Sequence, residues 1–243
     1  MIPLTLLLLE EHTIMALHII NQPDDQTKAV NDTLRYPNLE KMISVPLGIN
    51  EVYEACKDYP ILFTKNQEGD WLAIALLGYN DKNVYLDEKH QFKRGKYLPA
   101  FLRRYPFALA QNDAQAGFSL GIEEEALEEL NASNQQRALF KDDKTPSDLT
   151  KNTLDFLVHF QGELHACSAL IKELETWELL VEQSANIVDD EGKAHTINGF
   201  FTVNEEKLAH LSEKKKLDIY KKGATPFITA HLISLSNIRR LGL

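Results

Sequence analysis

The chain has 243 residues, 44% of them hydrophobic and 26% charged, with a formal net charge of −10. Those figures describe a globular protein long enough to bury a large core, with one compact domain in two lobes as the expectation, and they exclude a disordered or low-complexity polymer. The acidic balance argues against nucleic acid, whose phosphates it would repel, and the lysines that run against it (Lys214, Lys215, Lys216, Lys221 and Lys222) fall on one predicted helix and read as its solvated side.

In chain order, the apolar run at residues 2–9 is too short to span a bilayer, lacks a basic flank and is followed by Glu10 and Glu11, so it predicts neither a membrane span nor a signal peptide. Met15 opens a more ordinary beginning, and the first fourteen residues read as an upstream extension. Residues 21–38 are rich in Asn, Asp, Gln and Thr and read as an arm or loop. A first strand is predicted over 42–47, and Ile49, Val52, Tyr53 and Cys56 then recur at helical spacing until Pro60 stops the helix. Strands at 61–65 and 71–77 flank a five-residue loop, and the second is almost wholly apolar, which predicts a central position. Further strands are expected at 84–86, around Phe92 and at 118–122, with a short acidic helix over 123–130.

Between them lies the stretch KYLPAFLRRYPFAL, residues 96–109. Pro99 and Pro106 each remove a backbone donor, so neither a continuous helix nor a central strand can run through it and a kinked crossing segment is predicted. Arg103 and Arg104 stand there among Tyr97, Phe101, Leu102, Tyr105 and Phe107. Two readings are open: an anion or carboxylate held by a bidentate Arg, or guanidiniums paired with some of the chain's many carboxylates while their stems cover apolar surface. Arg104, beside Tyr105 and Pro106, is expected to be the more buried. Together with Trp71, Tyr97 and Tyr105 the arginines make a candidate ligand-binding set, apolar walls with a few polar groups for orientation; the alternative is that the aromatics are core.

The charged loop at 141–144 is the expected lobe boundary. Thr145 and Pro146 read as N-cap and first helical residue. Leu149, Thr153, Phe156, Phe160, Leu164, Cys167, Ile171, Leu174 and Trp177 then give one unusually long helix or two helices broken near Gly162. A second hairpin is expected around 189–192. Asn204 caps a helix, Ser212 starts another that ends at Gly223, and Thr225-Pro226 opens the last. Strands dominate the first half and helices the second, so the predicted class is α+β, an antiparallel sheet-rich N-terminal half with a helical C-terminal half. The expected organisation is an arm (1–35), a strand-rich lobe (36–140) and a helical lobe with one hairpin (141–243).

Catalytic signatures are absent from the sequence: GxGxxG, GxxxxGK[ST], GxSxG and HExxH do not occur. His159 and Glu163 share a helical face, but His165 is rotated away, and two ligands do not make a site, so no metal and no cofactor is predicted. His231 lies on an apolar stripe and reads as a core histidine donating to a backbone carbonyl. Cys56 and Cys167 fall in apolar helical patterns and suit free thiols in a reducing compartment, the cytoplasm.

Tyr59-Pro60-Ile61, Leu76-Leu77-Gly78, Tyr97-x-Pro99-Ala100-x-x-Arg103-Arg104-Tyr105-Pro106-Phe107, Leu139-Phe140 and Gly199-Phe200-Phe201-x-Val203-x-Glu205-x-x-Leu208 occur in that order. This set resembles the SapC family of bacterial proteins over residues 36–243. Thr225-Pro226-Phe227 departs from it, a Leu-Pro pair being expected there. The resemblance implies a fold and shared positions, and the family name associates it with a surface-layer locus; no activity comes with it. The functional expectation is a non-catalytic peptide- or protein-binding partner using an aromatic and Arg pocket or a sheet edge. The alternatives are an enzyme with dispersed catalytic residues, acting on a peptide, and an accessory of a cell-surface system.

Overall fold

The computed structural model describes residues 16–21, 24–34, 36–112 and 117–242, so the apolar run at 2–9 and Met15 lie outside the described residues. The strands are β1 (Leu17–Ile19), β2 (Lys28–Val30), β3 (Ser44–Pro46), β4 (Ile61–Lys65), β5 (Trp71–Leu76) and β6 (Gly78–Tyr79). They continue with β7 (Lys82–Asn83), β8 (Phe107–Asn112), β9 (Gly117–Glu123), β10 (Leu127–Glu129), β11 (Leu180–Val188) and β12 (Ala194–Val203). The helices are α1 (Val52–Ala55), α2 (Ala100–Arg103), α3 (Asp148–Thr176), α4 (Glu205–Ala209), α5 (Glu213–Lys221) and α6 (Ala224–Ser234). Sheet pairings are antiparallel and most of the helix lies in the C-terminal half, an α+β fold.

The chain forms two units, each discontinuous in sequence. One takes Asn38–Phe101 and Glu163–Leu243, the other His12–Pro37 and Leu102–Gly162, as far as these are described. In the first unit a five-stranded sheet runs β11-β12-β4-β5-β3. β5 lies between two partners, as its apolar sequence predicts, and Ile74, Ala75 and Leu76 are fully buried; an Ile or Leu buried this way contributes about 1.5–3 kcal/mol.

β12 and β4 pair through a single position, Phe201 with Phe63. Side chains from the last helical stretch supply the bonds that a longer ladder would have made. His231 donates from Nδ1 to the Ile61 carbonyl (2.9 Å) and accepts the Val203 N–H at Nε2 (3.0 Å). Ser234 Oγ accepts the Ile61 N–H (2.9 Å), and Asn237 donates to the carbonyls of Cys56 (2.9 Å) and Tyr59 (3.2 Å). His231 and Ser234 are neighbours on α6, and Asn237 follows in a 3-10 turn over Leu235–Arg240, where every third residue recurs on the same side, so the three point the same way.

Gly199 sits in a bulge of β12, where the register moves from Gln183 paired with Phe200 to Ala185 paired with Ile197. Its φ of +77° belongs to the left-handed region that side chains disfavour, so the glycine of the GFF run is required by the backbone.

The second unit contains the three-stranded sheet β1-β9-β8 and the two-stranded sheet β10-β2. Its core gathers Val30, Phe107, Leu120, Ile122, Ala126, Leu139, Phe140 and Leu157.

The structure corrects several local expectations. Residues 123–130 form a 3-10 turn and then β10, because Leu127, Glu128 and Glu129 pair with Val30, Ala29 and Lys28, and long-range pairing overrides helix propensity. Residues 84–86 and the segment around Phe92 make only a Leu86–Phe92 bridge, while the strands there are β6 and β7. α3 starts at Asp148, since Ser147, not Thr145, accepts the first-turn N–H of Thr150 (3.2 Å) and Pro146 is bridged to Phe140. α6 begins at Ala224 with Gly223 as its N-cap, ahead of Thr225-Pro226. Of the two possibilities at Gly162, the uninterrupted helix is the one formed, 29 residues long.

Candidate functional site

The proline-bounded stretch is divided between the two units, and each half has its own polar partners. In the first unit, Glu51 takes three donors: the N–H of Gly48 (2.8 Å), the Tyr97 hydroxyl (2.8 Å) and the N–H of Ala100 (2.6 Å) at the start of α2. Asp58 accepts the Tyr97 N–H and the Lys96 ammonium, each at 2.9 Å, and Tyr59 donates to the Tyr97 carbonyl. Tyr97 is therefore held at its hydroxyl, N–H and carbonyl together. Trp71 donates to Glu175 (2.9 Å), lies edge-on to Phe201 with ring centres 5.1 Å apart, and carries the Lys65 ammonium 4.5 Å above its ring. The Trp71 bond first, and second a bond from Lys65 to the other carboxylate oxygen (3.0 Å), hold the Glu175 carboxyl below the ordinary range. Tyr97 and Trp71 thus have separate partners.

In the second unit, α2 ends at Arg103, the chain turns, and β8 starts at Phe107, whose N–H donates to the Arg104 carbonyl (2.8 Å). The two arginines, the last residue of α2 and the first of the turn, have different described partners. Arg103 is exposed, its guanidinium 5.3 Å from the ring centre of Phe156. Arg104 is half-buried, as the neighbouring Tyr105-Pro106 predicts, and hydrogen-bonds Tyr36, whose hydroxyl is pushed up by burial and pulled down by Arg104. The rings of Tyr36 and Tyr105 lie 5.2 Å apart at 46°. Glu123, the last residue of β9, completes the group: its N–H donates to the Pro106 carbonyl (3.1 Å).

The electrostatics tie these four residues together. Burial pushes the Glu123 carboxyl up, Arg104 pulls it down and Glu125 pushes it up again, with a net rise. The Tyr105 hydroxyl is raised by burial, then by Glu123 and Glu125. Glu123 Oε2 is buried and accepts a hydrogen bond from no group among the described residues. A buried carboxylate oxygen without a donor is costly, and such atoms mark places where a ligand can supply what the fold does not. A cation, two phenols and an acceptor with unused capacity can bind a group carrying both a negative charge and an N–H.

Arg104 and Tyr105 of the sequence-derived set share this cluster, with Arg103 beside it on the exposed side. Tyr36 and Glu123 are additional members that sequence spacing could not supply, since Tyr36 lies far before Arg104 in the chain and Glu123 ends a strand with no motif around it.

Other titratable groups have structural partners. His195 Nε2 is 2.7 Å from Asp189 Oδ2 and its Nδ1 2.6 Å from Asn80 Nδ2, tying the β11–β12 turn to the β6–β7 turn. Burial raises the Cys167 thiol to about 12, which keeps it protonated and unreactive. Glu163 accepts from Asn50 (2.9 Å), and no group of three or more His, Cys, Asp or Glu among the described residues is placed to hold a metal ion. No described helix is long and apolar enough to cross a membrane.

A family model described as SapC matches residues 20–241. No curated protein and no solved structure matches the chain.

Proposed function

The chain belongs to the SapC family, and from that premise we propose that it is a non-catalytic binding protein that holds a peptide or protein segment by a carboxylate at Arg104. Tyr36 and Tyr105 flank the bound group, Glu123 accepts a donor from it, and Arg103 lies at the rim. One observation carries this reading: Arg104 is half-buried and hydrogen-bonded to Tyr36, whose ring packs on Tyr105, and it acts on Glu123, a carboxylate with one buried oxygen that no described group satisfies. A planar guanidinium in such surroundings favours a carboxylate over a solvated ion, because both parallel donors are used away from competing water. The same proposal places the protein in the cytoplasm, with Cys56 and Cys167 as free thiols.

The raised Glu123 carboxyl favours a second reading, an enzyme acting on a peptide in which Glu123 transfers the proton. A peptide array presenting free and amidated C-termini and acidic side chains tests both. Retention of carboxylate-bearing peptides unchanged supports the binding protein, cleavage of them supports the enzyme, and indifference to the carboxylate contradicts the Arg104 site.

A further inference from the structure

We propose that β11 is the surface through which two copies of this chain associate, edge to edge and antiparallel about Gln183. β11 is nine residues long and terminates its sheet, with β12 as its one hydrogen-bonded neighbour among the described residues. Its outward groups follow from its two ends. The Leu179 carbonyl accepts the N–H of Asn204 (2.7 Å), and the Asp189 N–H donates to the Lys193 carbonyl (3.0 Å), both towards the β12 side. Strand alternation then sends the N–H and C=O of odd-numbered residues to β12 and those of Leu180, Glu182, Ser184 and Asn186 to the outer edge. The alternation is unbroken, because the extra residue of the bulge belongs to β12. At the far end the C-terminal segment closes the edge: a Cβ built on Gly242 would come within 2.0 Å of the Val188 carbonyl. Among the described residues the open stretch is therefore residues 180–186, and Gln183 is its midpoint.

That stretch reads Leu-Val-Glu-Gln-Ser-Ala-Asn, with one charge, no lysine and no proline. Edge strands of monomeric proteins are usually blunted by such residues or by a bulge in the edge strand itself, and here the bulge is one strand inward. The stretch is also complementary to itself. Pairing about Gln183 sets Leu180 opposite Asn186, Val181 opposite Ala185, Glu182 opposite Ser184 and Gln183 opposite its own counterpart. Outward-facing residues meet outward-facing residues, so the ladder closes. Val181 and Ala185, half-buried on the same side as the buried Ile187, extend an apolar face, and the single carboxylate is not placed opposite itself.

Sedimentation velocity on the full chain tests this register. The unaltered chain is expected in monomer–dimer equilibrium. Gln183→Lys and Gln183→Glu, each at an exposed side chain, oppose like charges and should each weaken the dimer about tenfold or more, while an equimolar mixture of the two should recover it as a mixed dimer. A chain that stays monomeric, a dimer indifferent to both substitutions, or variants that fail to recover on mixing would each overturn the proposal.

Discussion

His231 accepts the backbone N–H of Val203 at Nε2, 3.0 Å away, while its Nδ1 donates to Ile61. Both bonds can exist only in the neutral imidazole with the proton on Nδ1. Burial lowers its pKa from the ordinary 6.5 to about 4, in agreement with that tautomer.

The consequence is a pH dependence of stability. Below the unfolded value of 6.5 the unfolded chain takes up a proton that the folded chain refuses, so stability falls as pH falls from 6.5 to about 4, by about 3 kcal/mol in all, and levels off below. Urea unfolding of the unaltered chain and of His231→Gln across that window isolates the contribution. The variant should be less stable at pH 7 by about 1–3 kcal/mol, since buried backbone groups lose a partner, and the gap should narrow towards pH 4. A constant gap would show that the imidazole is not buried neutral.

Gly78, in the Leu77-Gly78 pair of the family set, is a second test of the first unit. A Cβ there would lie 1.8 Å from the Lys82 carbonyl, a backbone atom that cannot swing aside. Gly78→Ala should cost about 2–4 kcal/mol by forcing the β6–β7 hairpin apart. Urea melts showing a loss below about 1 kcal/mol would mean that the close approach is not there.

Phe160 tests the apolar stripe of α3. It is buried and stacked on Phe156, ring centres 6.4 Å apart and 7° from parallel. Truncation to Ala is expected to cost about 3–5 kcal/mol. A much smaller loss in a denaturant titration would place this part of the stripe at the surface.

What the sequence made legible was local. Asn204 and Ser212 were readable as caps because a cap is a contact with a residue three positions on, and their side chains accept from Lys207 and Lys215. β4 and β5 were readable from apolar runs around a polar loop. His231 was readable as a core histidine donating to some carbonyl, but not as a link between β4 and β12, because Ile61 and Val203 are joined to it only through the fold. The strand character of Leu127–Glu129 was hidden for the same reason, its partner being Lys28–Val30. At the candidate site, the adjacency of Arg103, Arg104 and Tyr105 was plain; the arrival of Tyr36 and Glu123 at Arg104 depended on contacts that no spacing encodes.

The most direct measurement of the central claim pairs a thermal melt with retention of a carboxylate-bearing peptide, for the unaltered chain, Arg103→Lys and Arg104→Lys. Arg103 is exposed at the rim and Lys keeps its charge there, so its replacement should change peptide retention far less than the same replacement at Arg104. At Arg104 an ammonium supplies a point charge where two parallel donors are needed, so the folded variant should lose peptide retention by about tenfold or more. A folded Arg104→Lys that retains the peptide as well as the unaltered chain does, or an unaltered chain that retains none, would contradict the account.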